Sequence, residues 1–320
     1  MIKGRELWCL GVATAALLVA VAPASAEVQT KTYKYGPLTV GGYEVSQSAS
    51  SVQAPQINGS ITKMSVDIVD ESGKQVPIQR LMLHHVVFGN IGPRIGSKFD
   101  RTCKTFTNLD SVSKTPALGE RFYAAGEERA VMDLPPGYGY KTNSKDRWFM
   151  VWMLMNHRKV ADTAYIQYTV TIDDSPSLQP VIPYWLDVAN CWQDPVYDVA
   201  GGGAPGSDSV KSVNWVPDQS GRIVAATGHV HGGGKSLSLR RTQCSPTNEF
   251  KLDPLWGNPD HPFYNVKPIL HEPGPISMER LQTEQGIPVR AGEQLKFDST
   301  YDGELPHTRV MGITVAYVAP

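Results

Sequence analysis

The 320-residue chain carries little charge: 19% of residues are ionic, and 30 Lys+Arg stand against 31 Asp+Glu for a net charge of −1. Without a basic excess there is no electrostatic footprint for nucleic acid and no polybasic surface for anionic lipid, and neither partner is expected. Cysteine is scarce, at 4, and never occurs as C-x-x-C, so a thiolate zinc cage is not expected. Long amphipathic helical runs are missing. Past the first 26 residues no apolar stretch reaches the ~20 residues of a membrane span. G-x-S-x-G, H-E-x-x-H and P-loop signatures are all absent, so no nucleophile–base machinery is indicated.

What the chain does have is glycine (29), proline (24) and enough apolar residues (41%, with 7 Trp, 13 Tyr and 8 Phe) to fill a sizeable core. That mixture of turn formers and aromatics points to an all-β chain. Ile61–Val69 puts Met64, Val66 and Ile68 on one face at period 2 and ends in Glu71-Ser72-Gly73-Lys74, a strand closed by a turn. Further strands are predicted over 81–88, 148–157, 165–172, 222–231, 235–241, 294–301 and 312–318, with long loops over 201–209 and 252–277. Lys3 and Arg5, the apolar run Leu7–Ala22 and Ala24-Ser25-Ala26 read as a secretory signal peptide cut after Ala26, leaving an exported protein with no span. Asp173-Asp174-Ser175-Pro176-Ser177 is the linker candidate. It divides the mature chain into 27–175 and 176–320, two tandem antiparallel β-sandwiches of jelly-roll type. Export permits a disulfide. Cys191 and Cys244 share one half and form the favoured pair, with Cys103 as the alternative partner.

Histidines carry the chemistry. Residues i and i+2 of a strand share a face, so His229-Val230-His231 presents two imidazoles side by side, able to hold one metal. The competing reading is a surface pair on a hairpin. Gly228 and Gly232-Gly233-Gly234 leave room for the metal or for a tight reversal. His84-His85 lies inside an apolar run, where two unpartnered imidazoles are costly to bury. A regular strand sends the two to opposite faces, so a shared metal requires a bulge. The competing reading is one satisfied core histidine and one exposed. His157 ends the run Trp148–Asn156, in which Met153 and Met155 read as packing residues. Met311 enters the last strand. A thioether is a soft ligand that selects copper(I) over zinc. His307 reads as a polar loop residue, with assistance to a metal as the alternative, and His261 and His271 as solvent-facing loop residues.

These motifs occur in a fixed order over roughly residues 60–318: His84-His85 running into Val86-Val87-Phe88-Gly89, then His157, then His229-Val230-His231 with Gly234-Lys235, then Met311 leading into Gly312-Ile313-Thr314-Val315-Ala316-Tyr317. The pattern resembles the type II, ascorbate-dependent copper monooxygenases, the family of peptidylglycine α-hydroxylating and dopamine β-monooxygenases. The segment Tyr301–Gly312 is also similar to a plant stress-induced nodulin-related branch. The resemblance implies two β-sandwich domains with one copper each. His84, His85 and His157 would hold an electron-supplying copper. His229, His231 and Met311 would hold an oxygen-binding copper. A substrate C–H bond would be hydroxylated with O2 and an external reductant such as ascorbate. The family's peptide-recognition positions fall here on Thr227, Ile313 and Val315, and a family Gln falls on Met155, so a peptide substrate is not implied. Three functions follow: an exported dicopper monooxygenase acting on a small molecule, a non-catalytic copper-binding or copper-handling protein, and a β-sandwich surface-binding module whose histidines are incidental.

Overall fold

A computed structural model describes residues 27–320 apart from 104–105, 108–115, 118, 190, 192–194, 243–246, 266 and 268–269. The expected signal peptide with Cys9, and Cys244, lie outside the described residues. Among those described, the only helix is a 3-10 turn at Pro262–Asn265, and no helix is long and apolar enough to cross a membrane. The longer strands of the first half are β1 (Val28–Val40), β2 (Val45–Val52), β3 (Gly59–Val69), β4 (Met82–Asn90), β5 (Glu120–Gly126), β6 (Tyr138–Thr142), β7 (Trp148–Met155) and β8 (Asp162–Asp173). Those of the second half are β9 (Gln179–Asp187), β10 (Asp208–Trp215), β11 (Gly221–Val230), β12 (Gly234–Arg241), β13 (Thr247–Leu252), β14 (Arg280–Val289), β15 (Leu295–Asp302) and β16 (Gly312–Ala319).

The strands build an all-β sandwich architecture. A 9-stranded sheet runs β1-β8-β3-β6-β9-β16-β11-β14, with the short strand Met132–Asp133 beside β3. One 4-stranded sheet, β2-β7-β4-β5, faces its first half, and another, β10-β15-β12-β13, faces its second half. The strand order of the first half is repeated in the second, and it is the order of a jelly roll. Alternation explains the faces. On β3, Met64, Val66 and Ile68 point inward and meet Val170, Tyr168 and Ile166 of β8 across the ladder. On β7 both faces are apolar because both are covered. Met150, Trp152 and Leu154 fill the first core, while Met153 and Met155 pack with Met82 and Phe263 on the outer side. A second core holds Val230, Leu237, Leu239, Leu295, Phe297 and Tyr301.

The two halves are joined within the sheet. The expected linker is a tight turn, with Asp173 Oδ1 accepting from the Ser175 amide at 2.8 Å, and β9 then pairs in parallel with β6 from Gln179↔Tyr138 to Val181↔Tyr140. Where β5 meets β9, the Arg121 guanidinium stacks 4.1 Å from the Trp185 ring, and the Tyr317 hydroxyl donates to the Phe122 carbonyl at 3.0 Å. A disulfide crosses the same seam, and it corrects the favoured pairing: Cys191 bonds to Cys103, with 5.6 Å between Cα atoms, rather than to Cys244. Asp100 explains the partner. Its Oδ1 accepts from the Cys103 amide at 2.7 Å and its Oδ2 from Arg121 at 2.7 Å, which sets Cys103 beside the strand pair that carries Cys191.

Candidate metal centre

The adjacent histidines of β4 share a face because the strand is irregular between them. Its pairing with β7 runs Met153↔His85 and then Leu154↔Leu83, so His84 is the extra residue of a β-bulge. Leu83, Val86 and Phe88 keep their places in the core, and His84 and His85 both emerge on the outer side, with ring centroids 5.0 Å apart.

On β11 no bulge is needed. Gly228 and Val230 face the second core, and His229 and His231 turn the other way. Each has its Nδ1 occupied. That of His229 lies 2.8 Å from Glu128 Oε2, and that of His231 lies 3.1 Å from the carbonyl oxygen of Arg309. A carboxylate or carbonyl oxygen accepts only, so both rings carry their proton on Nδ1. The two Nε2 atoms then face each other 3.0 Å apart as bare lone pairs. That contact is repulsive between neutral rings and calls for a cation. Two imidazoles at 2.0–2.1 Å from one metal, at right to tetrahedral angles, place their nitrogens about 2.9–3.4 Å apart. The residues therefore fit a metal ion. The backbone of His231 is fixed as well: its amide donates to the Tyr301 hydroxyl at 2.7 Å, and that hydroxyl donates to the Met311 carbonyl at 2.6 Å.

The two histidine pairs are neighbours. The His84 and His231 rings lie 4.6 Å apart. His271 joins them, 4.3 Å from the His84 ring and 4.5 Å from the His231 ring, which corrects its reading as a solvent-facing residue. The segment that follows it is anchored at two points. Glu272 pairs with buried His307 at 2.8 Å, and that imidazole lies flat on Gly233, where a Cβ would come within 2.2 Å of the ring. Gly274 covers Glu127 so closely that a Cβ would sit 1.9 Å from its Oε1. Gly233 thus makes room for His307, while a Cβ at Gly232 would meet Glu272 and one at Gly234 would meet Val230. Glu127 and Glu128, which follow β5, are the polar groups that sequence patterning missed. Glu127 is buried 3.8 Å from His84 Nδ1, and burial, followed by the charge of Glu128, pushes its carboxyl well above the ordinary range.

Burial and mutual crowding keep His84, His85, His231 and His271 neutral, hence able to donate lone pairs. His84 and His231 are held well below the ordinary histidine value, first by burial and then by the other rings. His85 is pushed down to about 3 by burial and by His229 and His271, and His271 to about 4 by burial and by His229 and His157. Both ring nitrogens of His85, Nδ1 of His84 and Nε2 of His271 are buried without a hydrogen-bond partner.

Of the remaining expected ligands, His157 flanks this cluster and Met311 lies in the neighbouring core. His157 is close enough to His271 to act on its charge, and its neighbour Asn156 is pinned by bonds to the Val40, Gly41 and Val160 carbonyls. The Met311 side chain belongs to the apolar core with Ile313 and Val315. A cavity of about 240 Å³ opens at Thr227, lined also by Arg129, Met278 and Arg280.

No family model matches the chain. It is 24% identical over 293 residues to the probable copper-dependent oxygenase M1 of Phoma sp., covering 83% of this chain and 65% of that protein. It is 24% identical over 272 residues to the probable copper-dependent oxygenase clz3 of Cochliobolus lunatus, covering 74% and 72%. The chain thus spans about two thirds of the length of these relatives. Among solved structures it aligns with the STIV MCP (TM-score 0.38, 10% identity, 92% of this chain and 97% of that one) and with the major capsid protein P2 of bacteriophage PM2 (TM-score 0.33, 10% identity, 91% and 97%). At those scores the likeness carries no argument.

Proposed function

We propose that this protein is an exported copper-dependent monooxygenase that hydroxylates a C–H bond of a small molecule with O2 and an external reductant such as ascorbate. The observation that carries the reading is the pair of facing Nε2 lone pairs of His229 and His231, each presented by a hydrogen bond at the opposite ring nitrogen. Imidazole suits several metals, and the choice of copper is supported by the names of the two relatives and by the soft thioether of Met311. Copper bound by such imidazoles supplies one-electron redox chemistry toward O2. Following the family pattern, His84, His85 and His157 form the electron-supplying group, and His229, His231 and Met311 the oxygen-reactive group, one in each sandwich domain.

The protein's own contribution is positional. Glu128 and the Arg309 carbonyl fix the tautomers of the His229–His231 pair, and the buried setting excludes water. The cavity at Thr227, two residues along β11 from His229, has the size for part of a small substrate, and Arg129 and Arg280 on its wall are already partnered by Asp67 and Asp133. The test is reductant-dependent oxygen uptake by the copper-loaded protein with detection of a hydroxylated product. Met311→Ala should abolish hydroxylation while sparing copper at the His84–His85 group, and full activity in that variant refutes the role of Met311. Copper binding without oxygen uptake would favour a copper-handling protein, the reading that the apolar residues Ile313 and Val315 support.

A further inference from the structure

We propose that His84, His231 and His271 share one metal ion, so that the centre is built across the two halves of the chain and takes its completing ligand from the irregular segment around His271. This rests on the metal reading above and regroups its donors: His271 enters, and His84 is shared with the pair on β11. Donor nitrogens of His84, His231 and His271 already lie within 4.8 Å of one another. Closing them onto a common ion at 2.0–2.1 Å needs an inward shift of about an ångström per ring. The His229 Nε2, 3.0 Å from that of His231, supplies a fourth imidazole to the same point.

Three observations make this a built site rather than a chance contact. The rings come from unrelated segments, β4, the end of β11 and an irregular loop, yet all three meet pairwise at 4.3–4.6 Å. The His271 Nε2 and the His84 Nδ1 are buried without a hydrogen-bond partner, the latter 3.8 Å from Glu127 Oε2. The loop is held in place by groups that do not belong to the cluster, Glu272 on His307 and Gly274 over Glu127, so His271 is presented rather than trapped. Four imidazoles from the two halves of the chain form an all-nitrogen set for a borderline or soft cation such as copper or zinc.

The experiment is a titration of the intact metal-free protein with Cu(II), and separately with Zn(II), against a competing chelator. It compares wild type with His84→Ala, His231→Ala and His271→Ala, and electron paramagnetic resonance of the Cu(II) samples counts the coordinated nitrogens. Thermal melts of the metal-free variants check folding, and His271→Gln replaces the alanine variant if that one melts early. The expected result is that each single variant weakens the same binding event at least tenfold and removes one coordinated nitrogen from its spectrum. If His84→Ala and His271→Ala keep the ion of His229–His231 at wild-type affinity and nitrogen count, the shared centre is refuted while the copper reading stands. If Zn(II) but not Cu(II) binds and responds to all three variants, the shared centre stands and the copper reading falls. Absence of any binding by wild type refutes both.

Discussion

Glu128→Gln is the perturbation that separates the metal reading from a structural role for the histidines. Glu128 does two jobs: Oε1 accepts from the Gly126 amide at 2.8 Å, and Oε2 faces His229 Nδ1 at 2.8 Å. Glutamine keeps the first bond through its carbonyl oxygen and offers an N–H₂ in place of the second acceptor. His229 must then turn to the other tautomer, accept at Nδ1 and carry its proton on Nε2. That proton points at His231 Nε2, 3.0 Å away, and replaces a lone-pair repulsion with a hydrogen bond of about 1 kcal/mol. The metal-free variant should therefore be as stable as wild type or more so. Copper must now displace the proton, and loss of a ligand's carboxylate partner typically costs about 10–100-fold in affinity, or roughly 1.4–2.7 kcal/mol. Thermal melts with and without Cu(II), together with a chelator-competition titration, read both quantities: the melting temperature without metal should hold or rise while the copper-induced gain shrinks. Unchanged copper affinity, or a loss of stability that is the same with and without metal, would refute the tautomer argument.

Acid should destabilise the metal-free protein. His271 folds with its value pushed down from 6.5 to about 4, so between those values the unfolded chain binds a proton that the folded chain does not. Stability is full above pH 6.5 and is lost as pH falls toward 4, by roughly 3 kcal/mol from this residue alone. Urea melts across that range should show the slope, and His271→Gln should flatten it; a slope identical in the variant would count against the assignment. Removing the Cys103–Cys191 bridge with Cys191→Ser should lower stability by about 2–4 kcal/mol, since it closes a loop with a sequence separation of 88. Denaturation of the variant, set beside wild type with and without reductant, checks this, and a reductant effect that persists in the variant would exclude the bridge as its source.

The strongly patterned strands were legible because one or both faces are buried: 61–69, 81–88, 148–157 and 312–318 all coincide with strands to within a few residues. Strand β1 was not, since its Thr, Lys and Tyr alternate between exposed and half-buried at the sheet edge. Pro180 and Pro183 made β9 look like linker. The strand tolerates them because β6 pairs only with 179–181 and β16 only with 182–187, leaving one flank of each proline without a ladder partner. Periodicity on β11 placed His229 and His231 on one face, and the bulge that a shared face for His84 and His85 requires is present. The nearness of the two pairs could not be read, because it depends on how β4 and β11 meet across the seam. His271 was invisible for a related reason: a loop has no period, and the contacts that follow it, Glu272 on His307 and Gly274 over Glu127, appear only in the fold. Glu127 and Glu128 carry no sequence signal of their own; the turn closed by the Arg129 amide on the Gly126 carbonyl brings Glu128 to His229.

On the proposed metal reading, the parallel pairing of β9 with β6 bears on when the protein would acquire its ion. Residues 179–181 of β9 lie beside 138–140 of β6, a strand of the first half. A ribosome-bound or half-translocated chain that ends near Ser177 offers cations only His84, His85 and His157, a poor chelate. The finished chain presents its full set only once the second sandwich has settled against the first. On the proposed metal reading, tight loading would then be reserved for molecules in which both halves have folded.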